Sequence, residues 1–312
     1  MPLITHTVTD KHVGKRLDIY IGHYEPQLSR NRIQSMIKEG SALVERRAEK
    51  PGYKVKLGEA ISVDVPVKKV HEVLPEPIAL SVIYEDRLLI VLNKQPGIVV
   101  HPAPGNFTGT LVNALLYHYG SLPAAGSPGV ERERAGIVHR LDKDTSGVLA
   151  IARTLPALRS LSAQFKERSV QKQYLALVAG VIKRGSGTID APLGRHVRER
   201  KMISVHTNKA REAVTLYRVR ERFKEATLVE VEIKTGRTHQ IRVHMAHIGH
   251  PVLGDRVYCG RTAKTGQHPV ERQMLHAASL SLFHPETGHP MTFSAPLPQD
   301  MAEVIERLRS AQ

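Results

Sequence analysis

From Thr227 to Lys234 the sequence alternates without a break. Thr227, Val229, Val231 and Ile233 fall on one side of an extended chain, and Glu230, Glu232 and Lys234 on the other. A period of two over that length marks a strand with one face on a core and one toward water. Further strand signals lie at residues 42–44, 60–65, 88–92, 148–152, 174–178 and 213–219. Strands that follow one another through short turns predict a largely antiparallel sheet, hence an α+β fold class rather than a doubly wound one. Helical spacing interrupts them at residues 110–119 and 154–168. In the latter, Thr154 is the expected cap, and Leu155, Leu158, Leu161 and Phe165 form one stripe. From Asp300 onward, Met301, Val304, Ile305 and Leu308 repeat at the same spacing.

The chain has 312 residues, a length that fits two domains at roughly 150 residues each or one large domain with a small one. Residues 68–77 are charged, carry Pro75 and Pro77, and show no periodicity. The expected division is therefore a small α+β domain over 1–67 (core about 14–66), a linker at 68–78, and a larger domain over 79–312. In the small domain Ser29 is the expected N-cap of a helix that stops at Gly40, with Ile33, Met36 and Ile37 facing a core. Arg30, Gln34 and Lys38 recur on another face, either as a solvated edge or as one that phosphates could meet. The Gly-, Pro- and Ser-rich stretch 120–136 reads as a loop.

The chain carries 45 Lys+Arg against 30 Asp+Glu, a formal charge of +15. A partner with a dense negative backbone is the simplest reason to sustain that self-repulsion. Nucleic acid leads and an anionic membrane surface trails. Nine Tyr, five Phe and no Trp argue against a module that grips single strands by rows of stacked rings. One cysteine, Cys259, cannot form an internal disulfide and removes the thiolate-rich zinc and iron–sulfur classes. No apolar run approaches the roughly 18 residues of a membrane span, and the first residues lack a basic region followed by an apolar stretch. A cytoplasmic location without membrane attachment is expected. Phosphate-binding and dinucleotide-binding glycine motifs and the hydrolase elbow are missing. His239, His244, His247 and His250 lack ligand spacing, so neither a metal nor a cofactor is expected.

Two polar clusters stand out. The first is His139-Arg140-Leu141-Asp142-Lys143-Asp144-Thr145-Ser146-Gly147, leading into the apolar run 148–152. Asp and Ser stabilise ordinary turns through their own backbone, which is the plain reading. The sharper one is a loop anchored by a core strand that presents Asp142 beside Arg140 at a cleft, where a carboxylate can be nucleophile or base. The second cluster runs from Thr235 to Gly249. Thr238 is the expected N-cap, and Ile241, Met245 and Ile248 form a buried stripe. Arg242 lies next to that stripe, where an unpaired guanidinium is costly, so it needs a carboxylate, and Asp142 is a candidate. A third basic patch, residues 195–201, is a solvated loop or an RNA contact.

His139-Arg140-Leu141-Asp142 with Thr145-Ser146-Gly147 resembles the active-site motif of the RluA-type pseudouridine synthases. Gly236-Arg237-Thr238-His239-Gln240-Ile241-Arg242, Gln171-Lys172-Gln173-Tyr174 and Asn93-Lys94-Gln95-Pro96-Gly97 are similar to further motifs of that family, in its order. His101-Pro102-Ala103-Pro104-Gly105-Asn106 with Thr110 to Leu115 is similar to the RluD-like branch. Arg16-Leu17-Asp18, Leu28 to Arg32 and Ile37 to Gly40 resemble an S4 RNA-binding domain, except that its usual Val-Asn-Gly turn reads Val44-Glu45-Arg46-Arg47. A different turn geometry is expected there, because Asn-Gly is the pair suited to positive φ.

The resemblance implies a cofactor-free isomerisation of uridine to pseudouridine in RNA, most of all large-subunit (23S) ribosomal RNA, free or in an assembling subunit. It makes Asp142 the essential carboxylate, attacking the sugar or abstracting a proton from C2′. Tyr174 would pack on the flipped uracil and assist removal of the C5 proton, and Arg242 would pair with Asp142. Arg140 would contact RNA or fill the space left by the extruded base, and Arg237 and His239 in the large domain and Arg30, Arg32 and Lys38 in the small one would contact RNA. A monomer is expected. The alternative is a non-catalytic RNA-binding ribosome-assembly factor, which would have no need of Asp142, Tyr174 and Arg242 together.

Overall fold

The computed structural model describes residues 3–26, 28–65, 73–102, 105–120, 122–123, 136–199, 202–207, 209–259 and 270–311. The first part of the expected linker, 68–72, most of the loop 120–136, and Pro104, Arg200 and Lys201 lie outside the described residues. Two compact units divide between Glu72 and Val73.

The first unit is built from β1 (Leu3–Thr7), α1 (Leu17–Tyr24), α2 (Arg30–Lys38), β2 (Ala42–Val44), β3 (Arg47–Ala48) and β4 (Ala60–Asp64), in sheet order β1-β4-β2-β3. Ser29 caps α2 by accepting from the Arg32 N–H at 3.3 Å, and Gly40, at φ 78°, turns the chain out of it. Ile33, Met36 and Ile37 are buried and join Leu17, Tyr20 and Ile21 of α1 in the unit's core. The polar edge of α2 is a different matter from the sequence expectation. Asp18 is buried, and it draws in Gln34 Nε2 at 2.6 Å, Arg16 Nε at 3.0 Å and Arg30 Nε at 3.4 Å. The Arg16 hydrogen bonds, joined by Gln34 and Arg30, outweigh burial and hold the Asp18 carboxyl at about 2. Arg30 and Gln34 thus close over a buried charge, and of the three residues Lys38 remains the exposed one without that task.

The turn between β2 and β3 corrects a second expectation. Glu45 and Arg46 adopt φ 49° and 61°, both left-handed, and Val44 pairs with Arg47. The geometry is the one Asn-Gly would favour, imposed on two residues that carry Cβ atoms. Part of the cost is offset locally: Glu45 N–H donates to the Ala60 carbonyl at 2.9 Å, and its side chain accepts from Ala60 N–H at 2.6 Å.

The second unit has one large sheet. Its strands are β5 (Val82–Glu85), β6 (Leu89–Lys94), β7 (Ser146–Ala152), β8 (Gln171–Ala179), β9 (Ser186–Asp190), β12 (Val214–Arg222), β13 (Ala226–Ile233), β14 (Leu275–Phe283) and β15 (Pro290–Ser294), with a separate hairpin of β10 (Gly194–Arg195) and β11 (Ile203–Ser204). The order is β5-β6-β7-β14-β8-β13-β12-β9, with β15 also on β14. All these pairings are antiparallel except β7 with β14. The α+β class read from the sequence is the class observed. β14 has its own requirement: a Cβ on Gly147 would stand 2.2 Å from the Ala277 carbonyl oxygen, so only glycine, here at φ 113°, lets β14 lie against β7.

Helices cover both faces. Ala157, Leu158 and Leu161 of α4 (Leu155–Glu167) pack with Leu89, Val91, Val148 and Ala150. Met301, Val304, Ile305 and Leu308 of α6 (Gln299–Ser310) pack with Leu177. On the other face, Leu111 and Leu115 of α3 (Leu111–Tyr119) and Ile241 and Met245 of α5 (Gln240–His247) join Ile90, Leu149, Tyr174, Val229 and Val231. Leu155, placed in the α4 stripe by its spacing, is exposed instead, and the buried face of the helix is carried by Ala157, Leu158 and Leu161. Replacing Arg46 with Gly should relieve the left-handed strain at the turn. Chemical denaturation should show the first unit more stable by about 0.5–1 kcal/mol, and a loss of stability would contradict the strained-turn reading.

Candidate active site

A cavity of about 480 Å³ opens on the α5 face of the sheet, with Asp142, Tyr174, Arg242, Arg140, Arg237 and His239 in its wall. The structure brings together all the site residues expected in the second unit. Arg30, Arg32 and Lys38 belong to the first unit and are exposed on α2.

Asp142 is carried by a loop that ends in β7, and the loop is tied down from below. Lys94, at the end of β6, is buried, and its ammonium donates to the carbonyls of Gln95, Lys143 and Thr145 at 2.8, 2.9 and 2.9 Å. Arg272 donates to the Asp144 carbonyl at 3.0 Å, and Gln273 to Thr145 Oγ1 at 3.1 Å. His139 faces inward, its Nε2 accepting from Ala150 N–H at 2.9 Å. A loop whose carbonyls are held by fixed donors cannot drift, so its one inward carboxylate is set to a defined place.

The partner of that carboxylate comes from α5. The start of this helix differs from the expectation of a Thr238 cap: His239 is the N-cap, at φ 55° and without a side-chain cap bond. The Gln240 side chain does the satisfying, accepting from Arg237 N–H at 3.0 Å and Thr235 Oγ1 at 2.8 Å while donating to the Val214 carbonyl at 3.0 Å. With Gln240 pinned to β12, Arg242 is directed along the sheet surface. Its Nη1 meets Asp142 Oδ2 at 3.0 Å, as the sequence reading proposed.

Arg242 has a second and closer partner. Asp255, 1% exposed, receives Arg242 Nε at 2.6 Å and Nη2 at 2.9 Å, a bidentate pair. The remaining capacity of Asp255 is taken by the N–H groups of Val257 and Tyr258, at 2.9 and 3.1 Å. The Tyr258 ring lies 5.1 Å from the guanidinium, and its hydroxyl accepts from Ile203 N–H at 3.0 Å and meets His239 Nδ1 at 2.7 Å. Burial works against the Arg242 charge, but Asp255 and then Asp142 raise it well above the usual arginine range. A carboxylate, a guanidinium and a second carboxylate thus form a line in which Asp142, and not Asp255, is the carboxylate that lines the cavity. Neither Asp255 nor Tyr258 nor Lys94 received a role from the sequence. The signal for Asp255 was Arg242 itself: a buried guanidinium has five N–H donors, more than one carboxylate can fill.

Two other groups define the chemistry. Burial, with the charge of Asp142, pushes the Tyr174 phenol well above its usual range, so it is neutral at neutral pH. Its hydroxyl has no hydrogen-bond partner among the described residues. His239 Nε2 is 3.9 Å from Asp142 Oδ1, too far for a hydrogen bond. Burial lowers the His239 imidazole despite the attraction of Asp142, which favours the uncharged ring. Of the other histidines, His244 is buried and occupied by Thr215 Oγ1 and the Ala191 carbonyl, a core role, and among the described residues no group of side chains is arranged to hold a metal.

Because Arg242 is anchored by Asp255 and only directed at Asp142, the two carboxylates should differ in what they contribute to stability. Asp255→Asn should lower the unfolding free energy of the second unit by about 3 kcal/mol, since it strands a buried guanidinium. Asp142→Asn should cost less than about 1 kcal/mol. Equilibrium urea unfolding distinguishes them, and the reverse order would refute the anchoring role.

The RNA pseudouridylate synthase family profile matches residues 88–247, which contain the Asp142 loop, Tyr174 and Arg242. The RNA pseudouridine synthase YlyB of Bacillus subtilis is 45% identical over 309 residues, covering 99% of each chain. The ribosomal large subunit pseudouridine synthase D of Xanthomonas campestris is 43% identical over 97% of this chain and 91% of that one. The fold is similar to that of the human RNA pseudouridylate synthase domain containing 1 protein, with a TM-score of 0.58 and 27% identity over 75% of this chain and 98% of that one. The chain belongs to the RNA pseudouridylate synthase family, in its RluA-type, RluD-like branch.

Proposed function

We propose that the chain isomerises uridines of large-subunit ribosomal RNA, with Asp142 as the catalytic carboxylate and Tyr174 and Arg242 completing the site. The observation that carries this reading is the line Asp255–Arg242–Asp142, which presents one anchored carboxylate to a cavity of nucleoside size. Relatives named for the large ribosomal subunit, 41–43% identical over nearly the whole chain, support the choice of RNA.

The reaction balances within its substrate. The C1′–N1 bond breaks, the uracil turns, C5 joins C1′, and the proton lost from C5 is matched by one gained at N1. Asp142 acts on the sugar, as nucleophile at C1′ or as base at C2′. The Arg242 pairing fixes its direction, so little reorganisation is left for the reaction step. Tyr174, neutral and buried, offers an apolar face for the uracil, and its unpartnered hydroxyl is placed to relay the C5 proton. The target must first leave its stack, at a cost of a few kcal/mol. Arg140, exposed, and Arg237 and His239, all in the cavity wall, would meet the displaced strand. The first unit would act as an S4-like RNA-binding module through Arg32, Lys38 and the outer side of Arg30, and the enzyme would work as a monomer in the cytoplasm.

Asp142→Asn should abolish tritium release from 5-tritiated uridine RNA, a fall of at least about 10⁴-fold, while RNA affinity stays within a few fold. Retained turnover would remove Asp142 from the mechanism. A chain starting near Pro75 should bind RNA with a shallower dependence on salt, each lost phosphate contact lowering the log–log slope by about 0.7–0.9. An unchanged slope would mean that the first unit does not touch RNA.

A further inference from the structure

The cations around the cavity are not equivalent. Arg242 is held by Asp255 and Asp142, Arg168 by Glu212, and Lys234 by Glu232. Arg140 and Lys166 lack such partners but are exposed, where water satisfies them. Lys172 is different. It is half-buried, lines the cavity, and has neither a hydrogen bond nor an ion pair among the described residues. Its ammonium stands over the Phe165 ring, 5.8 Å from the centroid. Phe165 is itself fixed by stacking on His139 at 4.5 Å. Burial, with Arg168 nearby, holds Lys172 below the usual lysine range. A partly shielded ammonium that lines a cavity and has no carboxylate partner in the fold is open to an anionic group that enters the cavity.

Its position indicates the use. Lys172 stands two residues before Tyr174 on β8, so strand alternation puts both on one side of the sheet, about 6.6 Å apart along the strand. Asp142, Tyr174 and Lys172 all line the cavity, and so does Phe165 of α4, over whose ring the Lys172 ammonium stands. A nucleotide whose base meets Tyr174 and whose sugar meets Asp142 must still place its phosphates. The Asp142 carboxylate repels them, and the unpaired Lys172 ammonium attracts them. We propose that Lys172 is the phosphate anchor of this cavity, binding a backbone phosphate that adjoins the extruded uridine. The inference rests on the reading of the cavity as a uridine site. It gives the enzyme a way to grip the backbone at the flipped nucleotide, independent of contacts made elsewhere on the RNA.

The test uses the full chain and a short RNA bearing one modified uridine, with either a native backbone or a neutral methylphosphonate on the 5′ or 3′ side of that uridine. Lys172→Gln should weaken binding of the native RNA about tenfold and lower the salt slope by about 0.7, and Lys172→Arg should restore both. One of the two methylphosphonates should weaken binding to the unaltered chain by a similar factor yet leave the binding of Lys172→Gln unchanged. Equal losses for both proteins on both methylphosphonate RNAs, or unaltered affinity in Lys172→Gln, would overturn the anchor while leaving tritium release by the unaltered chain as support for the uridine site. Absence of tritium release by the unaltered chain would overturn the uridine reading and the anchor with it.

Discussion

A guanidinium buried between two carboxylates organises the second unit. Arg242 cannot remain beneath the cavity without acceptors for its N–H groups, and Asp255 supplies two of them in a plane. The turn after α5 is held by the same carboxylate, through Val257 and Tyr258, and Tyr258 in turn holds Ile203 and His239. One ion pair therefore sets the helix, the turn that follows it and the β11 strand around a single cavity. Asp142 is the carboxylate of the line that faces that cavity. Such pairs add little to net stability compared with an apolar core, but removing one partner is expensive, so they fix an arrangement rather than strengthen it.

The support under Asp142 follows the same logic with a different cation. Lys94 spends a buried ammonium on three carbonyls, two of them in the loop that carries the carboxylate. Gly147 then lets β14 approach β7 closely enough for Arg272 and Gln273, just before β14, to reach that loop. The sheet thus acts as a rigid plate from which a loop and a helix project toward each other. This is how a strand core places two side chains that are 100 residues apart within 3.0 Å.

What could be read from the chain beforehand follows from the range of each interaction. The α2, α3, α4 and α6 helices and the alternating β13 are local patterns, and the Ser29 and Thr154 caps and most of the buried faces, Leu155 excepted, are legible in short windows. Asp142 and Arg242 are legible because each sits in a dense polar run beside an apolar one, and because the burial of Arg242 calls for a carboxylate. Asp255 is not, because its partner is 13 residues away, across a turn that Gly249, Pro251 and Gly254 mark without saying which side chain returns to Arg242. The insertion of β14 between β7 and β8 is likewise invisible, since sheet order depends on contacts across more than 100 residues. Two expectations fail for an instructive reason. The Thr238 cap and the non-Asn-Gly turn were both judged from residue preference, yet the Gln240 side chain and the β2–β3 pairing impose left-handed backbone at His239, Glu45 and Arg46. Tertiary demands there override local propensity.

The measurement that bears most directly on the whole picture is a map of pseudouridines in large-subunit ribosomal RNA from cells that lack the protein, complemented with either the natural chain or its Asp142→Asn variant. One or more sites should be missing in the deletion, return with the natural chain and stay absent with the variant. An unchanged map in the deletion, or restoration of the sites by Asp142→Asn, would contradict the assignment of this cavity to uridine isomerisation.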